Sequence, residues 1–212
     1  MPARVKGVIF DLDGTLVDSV DLHVSTWVEA GRVFGVEVDP KKVRGFVGMS
    51  AEDIAKTLVK DEGLALRLAR FKRKLYLSRV NEVKLYSEVP EVLSRLKFEC
   101  KVSVGVASST NVETIEAVLN AVGIRNYVDV VVGSDIVGKG KPDPETFVLA
   151  IKKLNLTFSE AVVVGDTEYD VLPAKEIGSI AVLVCRGTCK NTRVAPDYVV
   201  YDLRELFNII EC

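Results

Sequence analysis

The chain has 212 residues, 48% hydrophobic and 27% charged, which suits one large globular domain or two unequal ones. Its 28 Lys and Arg against 30 acids leave a formal charge of −2, which excludes a broad basic face for nucleic acid and a polybasic membrane anchor. No apolar run approaches the length that spans a bilayer.

The N-terminal MPARVKGVIF passes from two basic residues into a short strand over residues 5–10. No small-residue cleavage site follows an apolar block, so it reads as the mature start of a cytoplasmic protein. From residue 18 to 34 the apolar Leu22, Trp27, Ala30, Val33 and Phe34 recur at helical spacing. Asp39-Pro40 breaks that helix, and Ser50 with Asp53 three residues on makes a capped start for the next. Residues 64–82 are amphipathic and strongly cationic, and the run from Arg67 to Lys74 is expected to be an exposed helix face. Residues 17–87 therefore read as an all-helical block without a strand.

Beyond residue 87 helices and apolar strands alternate: VPEVLSRLK, VSVGVASS, NVETIEAVLNAVGI, VDVVVGS, DPETFVLAIKKLNL, AVVVGD, EYDVLPAKEIG, SIAVLVC, DYVVY and LRELFNII. Alternation of that kind specifies α/β architecture, a doubly wound Rossmann-like parallel sheet with helices on both faces. Residues 1–16 and 88–212 are expected to form this core, and residues 17–87 a helical cap inserted into it through hinges near 14–19 and 84–90. The cysteines Cys100, Cys185, Cys189 and Cys212 fall in no framework or metal spacing. They read as free thiols of a reducing compartment, with a local Cys185–Cys189 bridge as the alternative.

Ligands of open α/β sheets sit beyond the carboxyl ends of the strands. The first such end, VIFDLDGT, carries Asp11 and Asp13; the next carries Ser108 and Ser109. A third region, GKGKPDPE, places Lys141 before a new helix, with Lys139 read as a solvated charge, and the last, VVVGDTEYD, carries Asp166 and Asp170. Any one of these acids or hydroxyls could be there simply to cap the helix that follows. Four strand ends doing so together, with a lysine, is not explained that way. Carboxylates converging without thiolate or histidine suit a hard divalent cation such as Mg²⁺, and a lysine with a hydroxyl suits the oxygens of a phosphoryl group.

In order and spacing, DLDGT, VASS, KPDP and GDTEYD resemble the four motifs of the haloacid dehalogenase-like hydrolase superfamily, across essentially the whole chain. The resemblance implies that Asp11 is a nucleophile forming an aspartyl-phosphate, and Asp13 the acid and base that serves leaving alcohol and water. It implies that Ser108, the Ser109 N–H and Lys141 hold the phosphoryl oxygens. Asp11 and Asp166 would bind Mg²⁺ with the Asp13 carbonyl, and Asp170 would act through water or by orienting Lys141. DSVDLHVSTW and RGFVGMS are similar to stretches of cap-bearing sugar-phosphate phosphatases and β-phosphoglucomutase. They add His23, Arg44 and Gly48 as candidate cap contacts, against the plainer readings of a packed Trp27 with a histidine at its edge and a helix-connecting turn. The implied activity is Mg²⁺-dependent hydrolysis of a small phosphorylated metabolite such as phosphoglycolate, a sugar phosphate or pyrophosphate. The alternatives are a phosphomutase and a non-catalytic relative that binds a ligand or partner.

Overall fold

A computed structural model describes residues 5–187 and 189–212; residues 1–4, on which the reading of the N-terminus rests, lie outside it. In chain order the elements are β1 (Gly7–Phe10), β2 (Val17–Asp18), α1 (Val20–Phe34), α2 (Pro40–Phe46), α3 (Ala51–Leu58), α4 (Glu62–Ser78), β3 (Lys84–Leu85), α5 (Val89–Phe98) and β4 (Ser103–Ala107). They continue with α6 (Val112–Ala121), β5 (Val130–Val132), α7 (Glu145–Lys153), β6 (Ala161–Gly165), α8 (Glu168–Glu176), β7 (Ile180–Val184) and β8 (Tyr198–Val200). Among the described residues no helix is long and apolar enough to cross a membrane.

Six strands form one sheet in the order β5-β4-β1-β6-β7-β8, and every neighbouring pair in it is parallel. The central strand is apolar and fully buried because both of its faces are covered. Val8 and Phe10 pack on one face with Val92, Leu93 and Leu96 of α5 and Ile115 and Leu119 of α6. Ile9 packs on the other with Phe147 and Ile151 of α7 and Val171 of α8. From β1 the chain moves through β4 to β5, then returns to the opposite side of β1 with β6. The direction of winding therefore changes between β1 and β6, where a crevice opens at the strand ends.

The four helices between β2 and β3 share a separate core of Val24, Trp27, Ala30, Val43, Ile54, Leu68 and Ala69. The expectation of a strand-free block fails at its two ends. Val17 pairs with Leu85 and Asp18 with Lys84 in a two-residue antiparallel ribbon, too short for any periodicity to announce. The C-terminal LRELFNII is likewise a 3₁₀ turn over Leu203–Asn208, not a helix of α type.

The cysteines correct the free-thiol reading. Cys100 is bonded to Cys212 and Cys185 to Cys189, which leaves no free cysteine among the described residues. Sequence separation hid the first pair: the C-terminal segment folds back along α5, where Phe207 lies 3.9 Å beneath the Arg95 guanidinium and Arg204 pairs with Glu91 at 2.9 Å. The local Cys185–Cys189 bridge held as the alternative is present, alongside one that was not expected.

Candidate active site

The tip of β1 turns sharply at Gly14, whose φ of +84° is a conformation other residues rarely adopt. A Cβ there would also stand 2.6 Å from Asp166 Oδ2, so glycine lets the β6 acid lie against the β1 turn. Gly165 does the same for Asp170, since a Cβ at Gly165 would meet the Asp170 Cγ at 2.2 Å. Thr167 caps α8, and Asp170 Oδ2 accepts from its N–H (3.2 Å) and its hydroxyl (2.8 Å) in a capping box. The helix-capping role weighed for Asp170 is therefore real, and it fixes the carboxylate for a second task.

That task is holding Lys141. Its ammonium donates to Asp11 Oδ1 at 2.6 Å and to Asp170 Oδ1 at 2.7 Å, with the Phe147 ring 4.6 Å away. Carboxylate oxygens of Asp11, Asp166 and Asp170 come within 4.8 Å of one another, and all three residues are buried. Burial pushes Asp11 well above the usual carboxylate range; Lys141 pulls against that, while Asp170, Asp166 and Asp13 add to it. Burial likewise lifts Asp166 to about 6, although an ion pair with Lys190 opposes the rise. Lys141 is desolvated too, but the two acids more than offset this and hold its pKa above the ordinary lysine value.

The Asp13 side chain does not join this cluster. It points to the cap, where Oδ1 accepts from the Ser19 hydroxyl (2.5 Å) and His23 Nε2 (2.9 Å), with the Tyr76 hydroxyl at 3.4 Å. Burial alone would raise Asp13; His23, Ser19 and the charge of Lys72 outweigh it and bring its pKa to about 2. Of Asp13, only the backbone carbonyl remains as a candidate metal ligand.

Ser108 and Ser109, both buried, lie across a cavity from the cap. Ser108 Oγ accepts from the Thr110 N–H at 3.2 Å, and Ser109 Oγ donates to the Gly48 carbonyl at 2.6 Å, so the β4 tip is tied to the cap loop. The cavity walls include Asp11, Asp13, His23, Gly48, Lys72 and Ser108. Arg44 stands elsewhere. It is exposed, paired with Asp21, and lines a neighbouring cleft with Tyr169 and Lys190. Trp27 packs in the cap core, as the plainer reading has it, and it also reaches the cavity beside His23, which neither reading expects.

Two participants escaped the sequence reading. Lys72 belongs to the run expected to be exposed, yet it is 5% exposed and touches His23. The signal was present: Ala65, Leu68, Ala69, Lys72 and Tyr76 form one buried stripe on α4 at helical spacing, and Lys72 sits within it. Lys190 follows the Cys185–Cys189 bridge in a segment with no periodicity, and nothing local marks it.

With this geometry in view, comparison with known proteins gives a consistent answer. A family model described as haloacid dehalogenase-like hydrolase matches residues 8–184. The chain is similar to the probable phosphatase IndB of Dickeya dadantii, at 32% identity over 92% of this chain and 88% of that protein. It is similar to the phosphoglycolate phosphatase of Aquifex aeolicus, at 26% identity over 98% of this chain and 97% of that one. The crystal structure of a hydrolase from Pseudomonas syringae superposes with a TM-score of 0.85 at 28% identity, covering 96% of this chain and 97% of that one. The chain belongs to the haloacid dehalogenase-like hydrolases.

Proposed function

We propose that the protein is a Mg²⁺-dependent phosphatase of a small phosphorylated metabolite, with Asp11 as its nucleophile. One observation carries this reading: among the described residues, three buried carboxylates, Asp11, Asp166 and Asp170, meet two ammonium groups, Lys141 and Lys190. A divalent cation offsets the remaining charge, and an all-oxygen donor set is the one Mg²⁺ takes. Both oxygens of Asp170 are engaged, by Lys141 and Thr167, so it orients Lys141. Asp11, Asp166 and the Asp13 carbonyl are then the protein ligands. When bound, the ion neutralises phosphoryl charge as it builds toward the transition state.

The chain's own groups do the rest. Asp11 attacks phosphorus while Lys141 keeps its carboxylate turned toward the incoming group and pairs with a phosphoryl oxygen. The Ser108 hydroxyl and the Ser109 N–H take the other oxygens. As the bond to the leaving oxygen breaks, Asp13 supplies its proton; Asp13 then removes a proton from the water that attacks phosphorus and frees Asp11. Asp13 is ionised at rest, so it takes up a proton from solvent as substrate enters, an uptake favoured by the approaching phosphoryl dianion, and passes that proton to the leaving oxygen.

The cavity lies between cap and core, with Asp11, Asp13 and Ser108 on the core side and Trp27, Ile54 and Lys72 on the cap side, so movement of the cap would govern substrate entry. Its wall of Trp27, Val47, Met49 and Ile54 ending at Lys72 favours a short leaving group with an anionic end, as in phosphoglycolate. The relatives named a probable phosphatase and a phosphoglycolate phosphatase favour hydrolysis over the phosphomutase alternative. Phosphate release from phosphoglycolate, hexose phosphates and pyrophosphate, with Mg²⁺ or with EDTA, tests the reading. Metal-dependent release, fastest from phosphoglycolate, is expected. Release unaffected by EDTA, or a hexose phosphate isomerised without phosphate release, would overturn it.

A further inference from the structure

Asp166 already has a cation on it, supplied from outside the acid cluster. Lys141 and Lys190 serve the same three acids in different ways. The Lys141 side chain is 1% exposed and held from two sides. That of Lys190 is 46% exposed and touches the cluster only at Asp166 Oδ2. Lys141 cannot leave without abandoning buried carboxylates. Lys190 already stands half in water and can give way once another cation takes its place on buried Asp166.

The base from which Lys190 reaches is fixed at several points. The Cys185 N–H donates to the Val200 carbonyl at 2.8 Å. Arg186 donates to the Thr15 carbonyl at 2.6 Å, pairs with buried Glu88 and lies 3.8 Å over the Tyr86 ring. The Cys185–Cys189 disulfide then brings the chain back beside that anchor one residue before Lys190. A charged group on a short tether from a fixed base meets its partner at high effective concentration.

We propose that Lys190 is a tethered counter-cation that a divalent ion must displace from Asp166, and that the Cys185–Cys189 bridge sets how strongly it competes. The inference rests on the Mg²⁺ reading given above. Lys190 spares Asp166 an unpaired buried charge before the metal arrives, which lets the acid cluster fold without metal. The cost is weaker metal binding than the same acids would show alone. The cleft that Lys190 lines together with Arg44 and Tyr169 gives a displaced ammonium a place to withdraw to.

Calorimetric titration with MgCl₂ tests this without any substrate. Lys190→Gln is expected to bind Mg²⁺ about five- to tenfold more tightly than the unaltered protein, whereas Lys190→Arg, which keeps the charge, stays within about twofold. Lys175→Gln, which removes a lysine paired with Asp197 away from the cluster, also stays within about twofold. Cys185→Ser/Cys189→Ser frees the tether and tightens binding by about two- to threefold, and that gain disappears when Lys190→Gln is present. Equal affinities for Lys190→Gln and the unaltered protein would overturn the competition, and a cysteine effect that persists without Lys190 would overturn the role of the bridge. Failure of every variant to bind Mg²⁺ at millimolar concentration would instead remove the metal reading on which both depend.

Discussion

Lys72 Nζ and His23 Nδ1 stand 2.6 Å apart in the cavity between cap and core. An ammonium group can only donate, so Nδ1 is the acceptor and the ring hydrogen sits on Nε2, which donates to Asp13 Oδ1. Burial first, and then the Lys72 charge, hold His23 below its ordinary pKa, consistent with a neutral ring at neutral pH. The Tyr76 ring stacks on it at 4.2 Å. Two cap helices thereby set the orientation and charge of a core carboxylate, and under the proposed mechanism the acid–base group would be complete only with the cap in place over it.

Lys72 pays for that position. Burial depresses its pKa from 10.5 to about 8. The unfolded chain therefore binds this proton more tightly than the folded one, and stability should rise as pH climbs from about 8 to 10.5. Lys72→Met should raise unfolding free energy at pH 7 by up to about 3 kcal/mol in urea melts and flatten that rise. The same variant should lose selectivity for anionic leaving groups and the fall in their kcat/KM above pH about 8. A variant no more stable than the parent would contradict the account of Lys72.

Lys141 should behave in the opposite way. Lys141→Met leaves Asp11 and Asp170 buried without their shared cation, which costs about 3–5 kcal/mol at neutral pH. Acidification should narrow that deficit, because the stranded carboxylates then take up protons. Urea melts at pH 7 and pH 5 make the comparison, and a deficit independent of pH would count against the bridging role.

Gly14→Ala tests the close approach of β1 and β6. The added Cβ meets Asp166 Oδ2 and the left-handed backbone resists a side chain, together costing about 1–3 kcal/mol. The displaced Asp166 should also weaken Mg²⁺ binding measurably. Unchanged affinity would mean that Asp166 does not contribute a ligand from this position.

The Cys100–Cys212 bond spans 112 residues, and a loop of that size restricts the unfolded chain strongly. Cys100→Ser/Cys212→Ser should lower stability by about 2–5 kcal/mol while leaving turnover intact, since the bond lies far from the strand tips. Matching melts of the oxidised parent and the double variant would deny the bond a role in stability.

The parts legible from sequence are those in which local pattern and chemistry coincide. The buried run Val8–Phe10 announces a central strand, and Asp11, Ser108, Lys141 and Asp166 stand at strand ends or beside them, where an open sheet places its ligands. The misses depend on meetings distant in sequence. Cys100 finds Cys212 only because the C-terminal turn folds along α5, and β2 finds β3 only after four helices have returned the chain. Lys72 was legible in principle. Its charge suggested solvent, while its place on the Leu68–Tyr76 stripe pointed inward, and the stripe prevailed because the cavity behind it offers His23 and two aromatic faces.

Acid-quenched single turnover of Asp13→Asn with ³²P-labelled p-nitrophenyl phosphate and Mg²⁺ probes the nucleophile most directly. That leaving group needs no proton, so the first half-reaction proceeds while the second, which needs the Asp13 base, stalls. Label bound covalently to the protein, approaching one per chain and mapping to Asp11, is the predicted result. Product formed with no protein-bound label, or label on a residue other than Asp11, would contradict it.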